Sequence, residues 1–189
     1  GRCDPSGRFW LGSMRTNLNS DGSGRDIDRH SGALFRLDPD GTVTRHTDYE
    51  FGIPNTMAWS PDKKTFYFGD SLRNVIFAFD YDDNSGGLSN RRVLLEGFES
   101  GVPDGSSIDE DGCLWNARFG GGRVIRITPD GRVDREIIVP MTNPTSCTFG
   151  GADRKSLFVS SAQFMLSEAQ LRANPLEGAL IEISSDFTG

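Results

Sequence analysis

Two short segments place an oxygen-bearing side chain directly after a proline and directly before a predicted strand. They are residues 53–59, where the side chain is Asn55, and residues 102–106, where it is Asp104. Carboxylate and amide oxygens are hard ligands that suit Ca²⁺, Mg²⁺ or Mn²⁺. The two segments therefore predict a divalent-cation site, provided that the fold directs both side chains to the same place.

Each of these side chains also has a purely structural interpretation. Pro-Asp-Gly is a common turn, and Asp40 and Asp130 in the same tripeptide are predicted to close hairpins. Asn55 could likewise cap an Asx-turn. Asp40 and Asp130 lie between two strands, whereas Asp104 precedes a repeat unit and is matched there by Asn55. A third segment, 143–149, is placed similarly but offers only hydroxyl groups and a thiol after its proline.

Other catalytic patterns are incomplete in this sequence. His30 and His46 have no Cys or His partner at metal-ligand spacing, and without a Gly-x-Ser-x-Gly elbow a serine triad is disfavoured. The glycine run 120–122 lacks the helix and lysine of a phosphate loop. Residues 109–112 resemble the start of a calcium loop without its later ligands, so a turn is predicted there.

The elements that would position these residues recur along the chain. A polar turn followed by an aromatic-rich strand starts near Asp4, Ser60, Asp109 and Gly151. A second unit alternates apolar and polar residues and ends in a hairpin, as in residues 122–131. A period on the order of 40 to 55 residues with four strands per unit is typical of a β-propeller blade, and an irregular β-sandwich is the alternative. Helical periodicity is confined to 167–173, where one or two surface turns are predicted. We therefore predict an all-β protein, with residues 1–189 forming a single-domain partial propeller of roughly four blades.

Composition excludes several classes of partner. Hydrophobic residues make up 35% of the chain and the net charge is −7, so a packed core is feasible and a phosphate-neutralising surface is not expected. No apolar run approaches the roughly 20 residues that would span a bilayer. We therefore expect no nucleic-acid and no membrane partner.

The three cysteines, Cys3, Cys113 and Cys147, are an odd and widely spaced set. Each lies in or beside a predicted strand, which predicts buried free thiols and not a disulfide framework. Free thiols favour a reducing compartment, so we expect a cytoplasmic protein.

An ordered series of motifs resembles a known family. The series comprises residues 4–10, 29–35, 54–62, 77–82, 88–92, 103–105, 120–126 and 144–151. In this order the motifs resemble the family of senescence marker protein 30 (regucalcin), gluconolactonase and the luciferin-regenerating enzyme. The resemblance runs over essentially the whole chain.

The resemblance implies a six-bladed propeller that binds one divalent cation, Ca²⁺, Zn²⁺, Mn²⁺ or Mg²⁺. It also implies that the protein hydrolyses sugar lactones such as gluconolactone. It assigns metal binding to Asn55 and Asp104. Asn17 stands where animal members have a substrate-contacting Glu, so it is the expected substrate-binding residue, with an amide in place of the carboxylate. Thr56 replaces a glycine of the family motif and would restrict the backbone there.

The family's third metal ligand, a Glu, and an Arg-x-Asn pair that grips the substrate would precede Gly1. The resemblance therefore implies that the first blades are missing, and we expect a fragment or a processed chain. Asp104 is the expected catalytic residue, as metal ligand and general base. The alternatives are a non-catalytic, calcium-binding propeller and another hydrolase on the same scaffold. Which lactone, which metal and which oligomeric state apply is left open by the sequence.

Overall fold

The computed structural model describes residues 1–189, which fold into fifteen strands and one short helix. The first sheet contains β1 (Arg2–Cys3), β2 (Phe9–Gly12), β3 (Leu34–Leu37) and β4 (Val43–Arg45). The second contains β5 (Pro54–Trp59), β6 (Thr65–Asp70), β7 (Val75–Asp82) and β8 (Gly87–Glu96). The third contains β9 (Val102–Ile108), β10 (Leu114–Phe119), β11 (Arg123–Ile127) and β12 (Val133–Ile138). The fourth contains β13 (Pro144–Gly150), β14 (Ser156–Ser161) and β15 (Leu180–Ser184), with helix α1 (Glu168–Ala173) between its last two strands.

Each sheet is antiparallel, and its strands follow one another in chain order. Successive antiparallel sheets of this kind are the blades of a β-propeller, so the predicted fold class is confirmed and the β-sandwich is not formed. We number the blades 1 to 4 in chain order. The chain divides into two compact units, Gly1–Glu96 with blades 1 and 2 and Gly97–Gly189 with blades 3 and 4. The expectation of a single domain stays a prediction.

Each unit has its own apolar core, built from the buried faces of its strands. The core of the first unit is aromatic and includes Trp10, Phe51, Trp59, Phe66, Phe68 and Phe77. The core of the second unit includes Trp115, Val124, Met141, Leu157 and Val159. Apolar burial of this extent is the main stabilising contribution to such short strands, which gain little from intrinsic propensity.

The polar turn between the first and second strands of blades 1 and 3 has a structural role in the core. Asp4 accepts hydrogen bonds from the indole N–H of Trp10 at 2.9 Å and from Arg8 Nε at 2.6 Å. Asp109 does the same with Trp115 at 2.8 Å and Arg126 at 2.7 Å. Both carboxylates are almost fully buried, and buried charges persist when they are paired and hydrogen-bonded. Residues 109–112 are thus a turn, as predicted.

The local elements between the strands agree with the sequence predictions. The two Pro-Asp-Gly hairpins close with hydrogen bonds from Gly41 N to Asp38 O at 2.9 Å and from Gly131 N to Thr128 O at 2.8 Å. Helix α1 is a surface element with a Ser167–Gln170 capping box and no buried residue. No helix of the chain is long and apolar enough to cross a membrane.

The predicted thiol burial is wrong for one of the three cysteines. All three are free, and Cys113 and Cys147 are buried, but Cys3 is exposed. Cys3 lies in β1, which has only two residues, and both of them are exposed. This strand therefore directs no side chain into the core. Free thiols in place of a disulfide framework were predicted correctly.

Candidate functional site

The first strands of blades 2, 3 and 4 share an irregularity just after their proline. In β5 the pairing with β6 skips Thr56, which lies between Asn55 and Met57. In β9 the pairing with β10 passes from Pro103 to Ser106. In β13 the pairing with β14 skips the residue that follows Pro144. Each irregularity adds one residue to the first strand, and such β-bulges redirect side chains and are enriched beside functional sites. The equivalence of the segments that contain Asn55 and Asp104, inferred from sequence, is therefore also an equivalence of backbone pairing.

Thr56 adopts the conformation for which the family motif uses glycine. Its φ is +47°, in the left-handed region, and its side chain is buried at 2% exposure. The neighbouring strand leaves space for the Thr56 side chain, because residue 69 is a glycine. A Cβ at that position would lie only 3.0 Å from Thr56 Cβ. The left-handed region costs a β-branched residue on the order of 1–2 kcal/mol. Other contacts of the folded chain must offset this cost.

Asn55 is half-buried at the start of β5, and only one end of its amide is hydrogen-bonded. The nitrogen Nδ2 donates to Ser71 Oγ at 2.9 Å. The oxygen Oδ1 makes no hydrogen bond within the chain and is therefore available to a ligand.

The backbone before Asn55 is fixed by the buried carboxylate of Asp70, the last residue of β6. Asp70 is 0% exposed and accepts hydrogen bonds from Gly52 N at 3.1 Å, Ile53 N at 3.0 Å and Leu72 N at 3.1 Å. Sequence reasoning did not single out Asp70 or Ser71. A charged residue at the end of the otherwise apolar segment 66–69 is the signal that could have identified them.

Asp104 is a partly buried carboxyl group whose ionisation is opposed by its surroundings. Burial raises the pKa of Asp104 to about 7, although a hydrogen bond from the backbone of Gly105 favours the charged form. A perturbed carboxyl of this kind is a marker of functional sites, since its proton affinity is matched to neutral pH.

Polar side chains of β10 support the Asp104 segment. Asn116 Nδ2 donates to Asp104 O at 3.2 Å and to Ser106 Oγ at 2.9 Å. Beside it, Arg118 is 1% exposed and donates to Gly101 O at 2.6 Å. Burial lowers the pKa of Arg118 to about 10. Sequence reasoning missed both residues, because polar positions within a strand carry no signal until their pairing partner is known.

Asn17 lies in the long connection between β2 and β3 and is half-buried. The backbone carbonyl oxygen of Asn17 accepts a hydrogen bond from Arg25 N at 2.7 Å. No hydrogen bond joins Asn17 to Asn55, so its role in binding stays a prediction.

The donor chemistry determines which metals the chain could hold. No group of three or more His, Cys, Asp or Glu side chains is arranged to hold a metal ion, so a cluster of nitrogen, sulfur and carboxylate ligands is absent. The ring of His46 packs against Trp10 at a tilt of 41°, with ring centroids 4.5 Å apart. Each of the two candidate ligands, the amide oxygen of Asn55 and the carboxylate of Asp104, is a hard oxygen donor of the kind that Ca²⁺ or Mg²⁺ prefers.

Comparison with known proteins identifies relatives over almost the entire chain. The model of the SMP-30/gluconolactonase/LRE-like region matches residues 1–163. Regucalcin of Danio rerio is 39% identical over 186 residues, which cover 97% of this chain and 60% of that protein. The chain therefore spans about 60% of the length of the curated relatives that it matches.

Solved structures give the same result. A calcium-binding protein, regucalcin, from Agrobacterium tumefaciens superposes with a TM-score of 0.87 at 32% identity, covering 100% of this chain and 61% of that one. A gluconolactonase from Xanthomonas campestris superposes with a TM-score of 0.68 at 28% identity, covering 83% of this chain and 51% of that one.

Proposed function

Since the chain belongs to the SMP-30/gluconolactonase/LRE-like family, we propose that it is part of a metal-dependent hydrolase of sugar lactones. The observation that carries the proposal is Asp104, a carboxyl group with a pKa of about 7 at the bulge of a blade's first strand. Asn55 directly precedes Thr56, the bulged residue in the first strand of another blade. We assign metal binding to Asn55 and Asp104, general-base catalysis to Asp104 and substrate binding to Asn17.

The cofactor in this proposal is one divalent cation, Ca²⁺, Zn²⁺, Mn²⁺ or Mg²⁺, which when bound polarises the lactone carbonyl as a Lewis acid. Asn55 would bind the cation through Oδ1, because its Nδ2 already donates a hydrogen bond to Ser71 Oγ. Asp104 takes a proton from the water that attacks the carbonyl carbon. It then returns the proton to the ring oxygen as the carbon–oxygen bond breaks, which gives the open hydroxy acid. The ionised carboxylate of Asp104 is the base in the first transfer, and the carboxyl group that it becomes is the acid in the second.

Asn17 has the chemistry of a sugar-binding residue. Its amide offers a donor and an acceptor, and a hydroxyl group of a sugar lactone needs both. Asn17 is only half-buried, so part of this residue is exposed to solvent and accessible to a ligand.

A second candidate function is cation binding without turnover. It is favoured by the Agrobacterium tumefaciens structure, which is described as a calcium-binding protein. It needs Asn55 and Asp104 but no general base and no substrate contact. The two functions therefore differ in turnover and agree in metal binding.

The test is a pH-stat assay of gluconolactone hydrolysis, run after chelation and after addition of each of the four cations. We expect metal-dependent turnover in the wild type and its loss in Asp104→Ala and Asn55→Ala. The matched control is Asp40→Ala, which removes the aspartate of an exposed Pro-Asp-Gly hairpin and leaves turnover unchanged.

Metal binding without hydrolysis in the wild type would identify the second function. Full activity of folded Asp104→Ala would refute the assignment of the catalytic residue. The circular dichroism spectrum of each variant shows whether the fold is retained.

A further inference from the structure

The side chain of Asn55 is connected to the end of β6 by one hydrogen bond. The donor is Nδ2, and the acceptor is Ser71 Oγ at 2.9 Å. Ser71 is buried at 7% exposure, so its hydroxyl is held in the protein and does not move freely in water.

The segments that contain the two residues are tied together independently of this bond. Ser71 N donates to Ile53 O at 2.9 Å, and the Asp70 carboxylate accepts from Gly52 N and Ile53 N at 3.1 and 3.0 Å. The distance between the Ser71 hydroxyl and the Asn55 amide is therefore set by backbone pairing at the end of the strand. A bond between two fixed groups loses little side-chain entropy when it forms.

An asparagine amide can turn either its oxygen or its nitrogen toward a cation, and only the oxygen is a ligand. When Oδ1 is used, the two N–H groups of Nδ2 need an acceptor, because a buried donor without a partner is costly. Ser71 Oγ is that acceptor in this chain.

We propose that Ser71 is a positioning residue that holds the Asn55 amide with Oδ1 toward the cation, and that the buried Asp70 carboxylate fixes the backbone on which this arrangement depends. The inference rests on the proposed function, in which Asn55 is a metal ligand. Ser71 itself touches neither metal nor substrate in this role. Partners of this kind orient ligating side chains, and their loss typically lowers metal affinity by roughly 10–100-fold.

The experiment measures the Kd of the 189-residue chain for Ca²⁺ and Mn²⁺ alone by isothermal titration calorimetry. Ser71→Ala is expected to raise the Kd roughly 10–100-fold. Ser71→Thr keeps the hydroxyl and is expected to restore most of the affinity. Ser20→Ala, which removes an exposed serine from a loop, is the control and leaves the Kd unchanged.

A double-mutant cycle separates positioning from a general structural role. Asn55→Asp replaces the amide by two equivalent oxygens and removes the N–H groups that need an acceptor. In this background Ser71→Ala is expected to change the Kd by less than about threefold. A similar loss in both backgrounds would mean that Ser71 acts only through the fold, and would overturn the inference.

The outcomes also distinguish this inference from the function on which it rests. If Asn55→Ala abolishes metal binding but Ser71→Ala leaves the Kd unchanged, the positioning role is refuted and the metal site stands. If the wild type binds neither ion, or Asn55→Ala binds both as well as the wild type does, the proposed metal site fails and the inference fails with it.

Discussion

The carboxyl group of Asp104, the proposed general base, makes an unfavourable contribution to the stability of the folded chain when it is ionised. Burial raises its pKa to about 7 from an ordinary value of 3.8, so the folded chain binds this proton more tightly than the unfolded chain does. Ionisation of the carboxyl group therefore opposes folding. The resulting loss of folding stability grows as the pH rises from about 4 to about 7, and it is constant above that range.

We expect Asp104→Asn to stabilise the metal-free chain at pH 8 by on the order of 1–3 kcal/mol, because the amide carries no charge to be desolvated. The gain shrinks as the pH approaches 4, where the wild-type carboxyl is protonated in both states. Urea denaturation in the presence of a chelator, at pH 5 and pH 8, measures the difference. A variant that is less stable than the wild type at pH 8 would show that the ionised carboxylate is stabilised by partners.

Thr56 also shows what the sequence could and could not predict for single residues. Threonine in place of the motif's glycine predicted a more restricted backbone at this position, but Thr56 nevertheless adopts a φ of +47°, in the region that glycine reaches freely. The compensation could not be predicted, because it comes from Gly69 on the paired strand. Likewise, Asp109 was predicted as a turn residue, but its bonds to Trp115 and Arg126 depend on tertiary packing.

At the scale of the elements, the close approach of β9 and β13 limits which residue can stand at position 105. A Cβ on Gly105 would clash with Ser146 Oγ and lie 2.8 Å from Thr145 O. A side-chain atom could move away, but the Thr145 carbonyl is part of the strand. Gly105 is thus required for the packing of β9 on β13, directly beside Asp104.

Gly105→Ala should separate the two strands and destabilise the chain by roughly 1–3 kcal/mol, the usual cost of overpacking. Because Asp104 is the adjacent residue, metal affinity should fall as well. The urea midpoint and a calcium titration of the folded variant measure the two effects. The double variant with Ser146→Gly removes the nearest side chain but not the carbonyl, so we expect only part of the stability to return. Unchanged stability of Gly105→Ala would contradict this account of the packing.

Sequence patterns predicted the strands better than the contacts between them. Hairpin tripeptides and alternation are local, which is why the repeat, the turns and helix α1 could be predicted. The bond between Asn55 and Ser71 joins residues 16 positions apart and depends on a bulge in the register. Register follows from which face each strand buries, and this is decided by the whole sheet. The candidate ligands Asn55 and Asp104 could therefore be proposed from the repeat, whereas their hydrogen-bond partners could not.

At the scale of the whole molecule, binding of a cation must increase the stability of the folded chain. A ligand that binds only the folded state stabilises it by about 2.7 kcal/mol when its free concentration is a hundred times its Kd. The net charge of −7 adds a long-range attraction for cations, which salt screens.

We expect Ca²⁺ or Mn²⁺ at saturating concentration to raise the Tm of the wild type by roughly 5–10 °C in differential scanning calorimetry. The Asp40→Ala control should show the same increase, and Asp104→Ala should show none. An increase in Asp104→Ala as large as that of the wild type would place the binding elsewhere on the acidic surface.

The distribution of tryptophans gives each compact unit its own optical probe. Trp10 and Trp59 lie in the core of the first unit, and Trp115 is the only tryptophan of the second. The indoles of Trp10 and Trp115 both donate to a buried aspartate, a contact that is lost when the surrounding turn opens. Replacing Trp10 and Trp59 by Phe would leave Trp115 to report on the second unit alone. Replacing Trp115 would leave the first unit visible, so the emission spectrum can show whether the two units melt in one transition or in two.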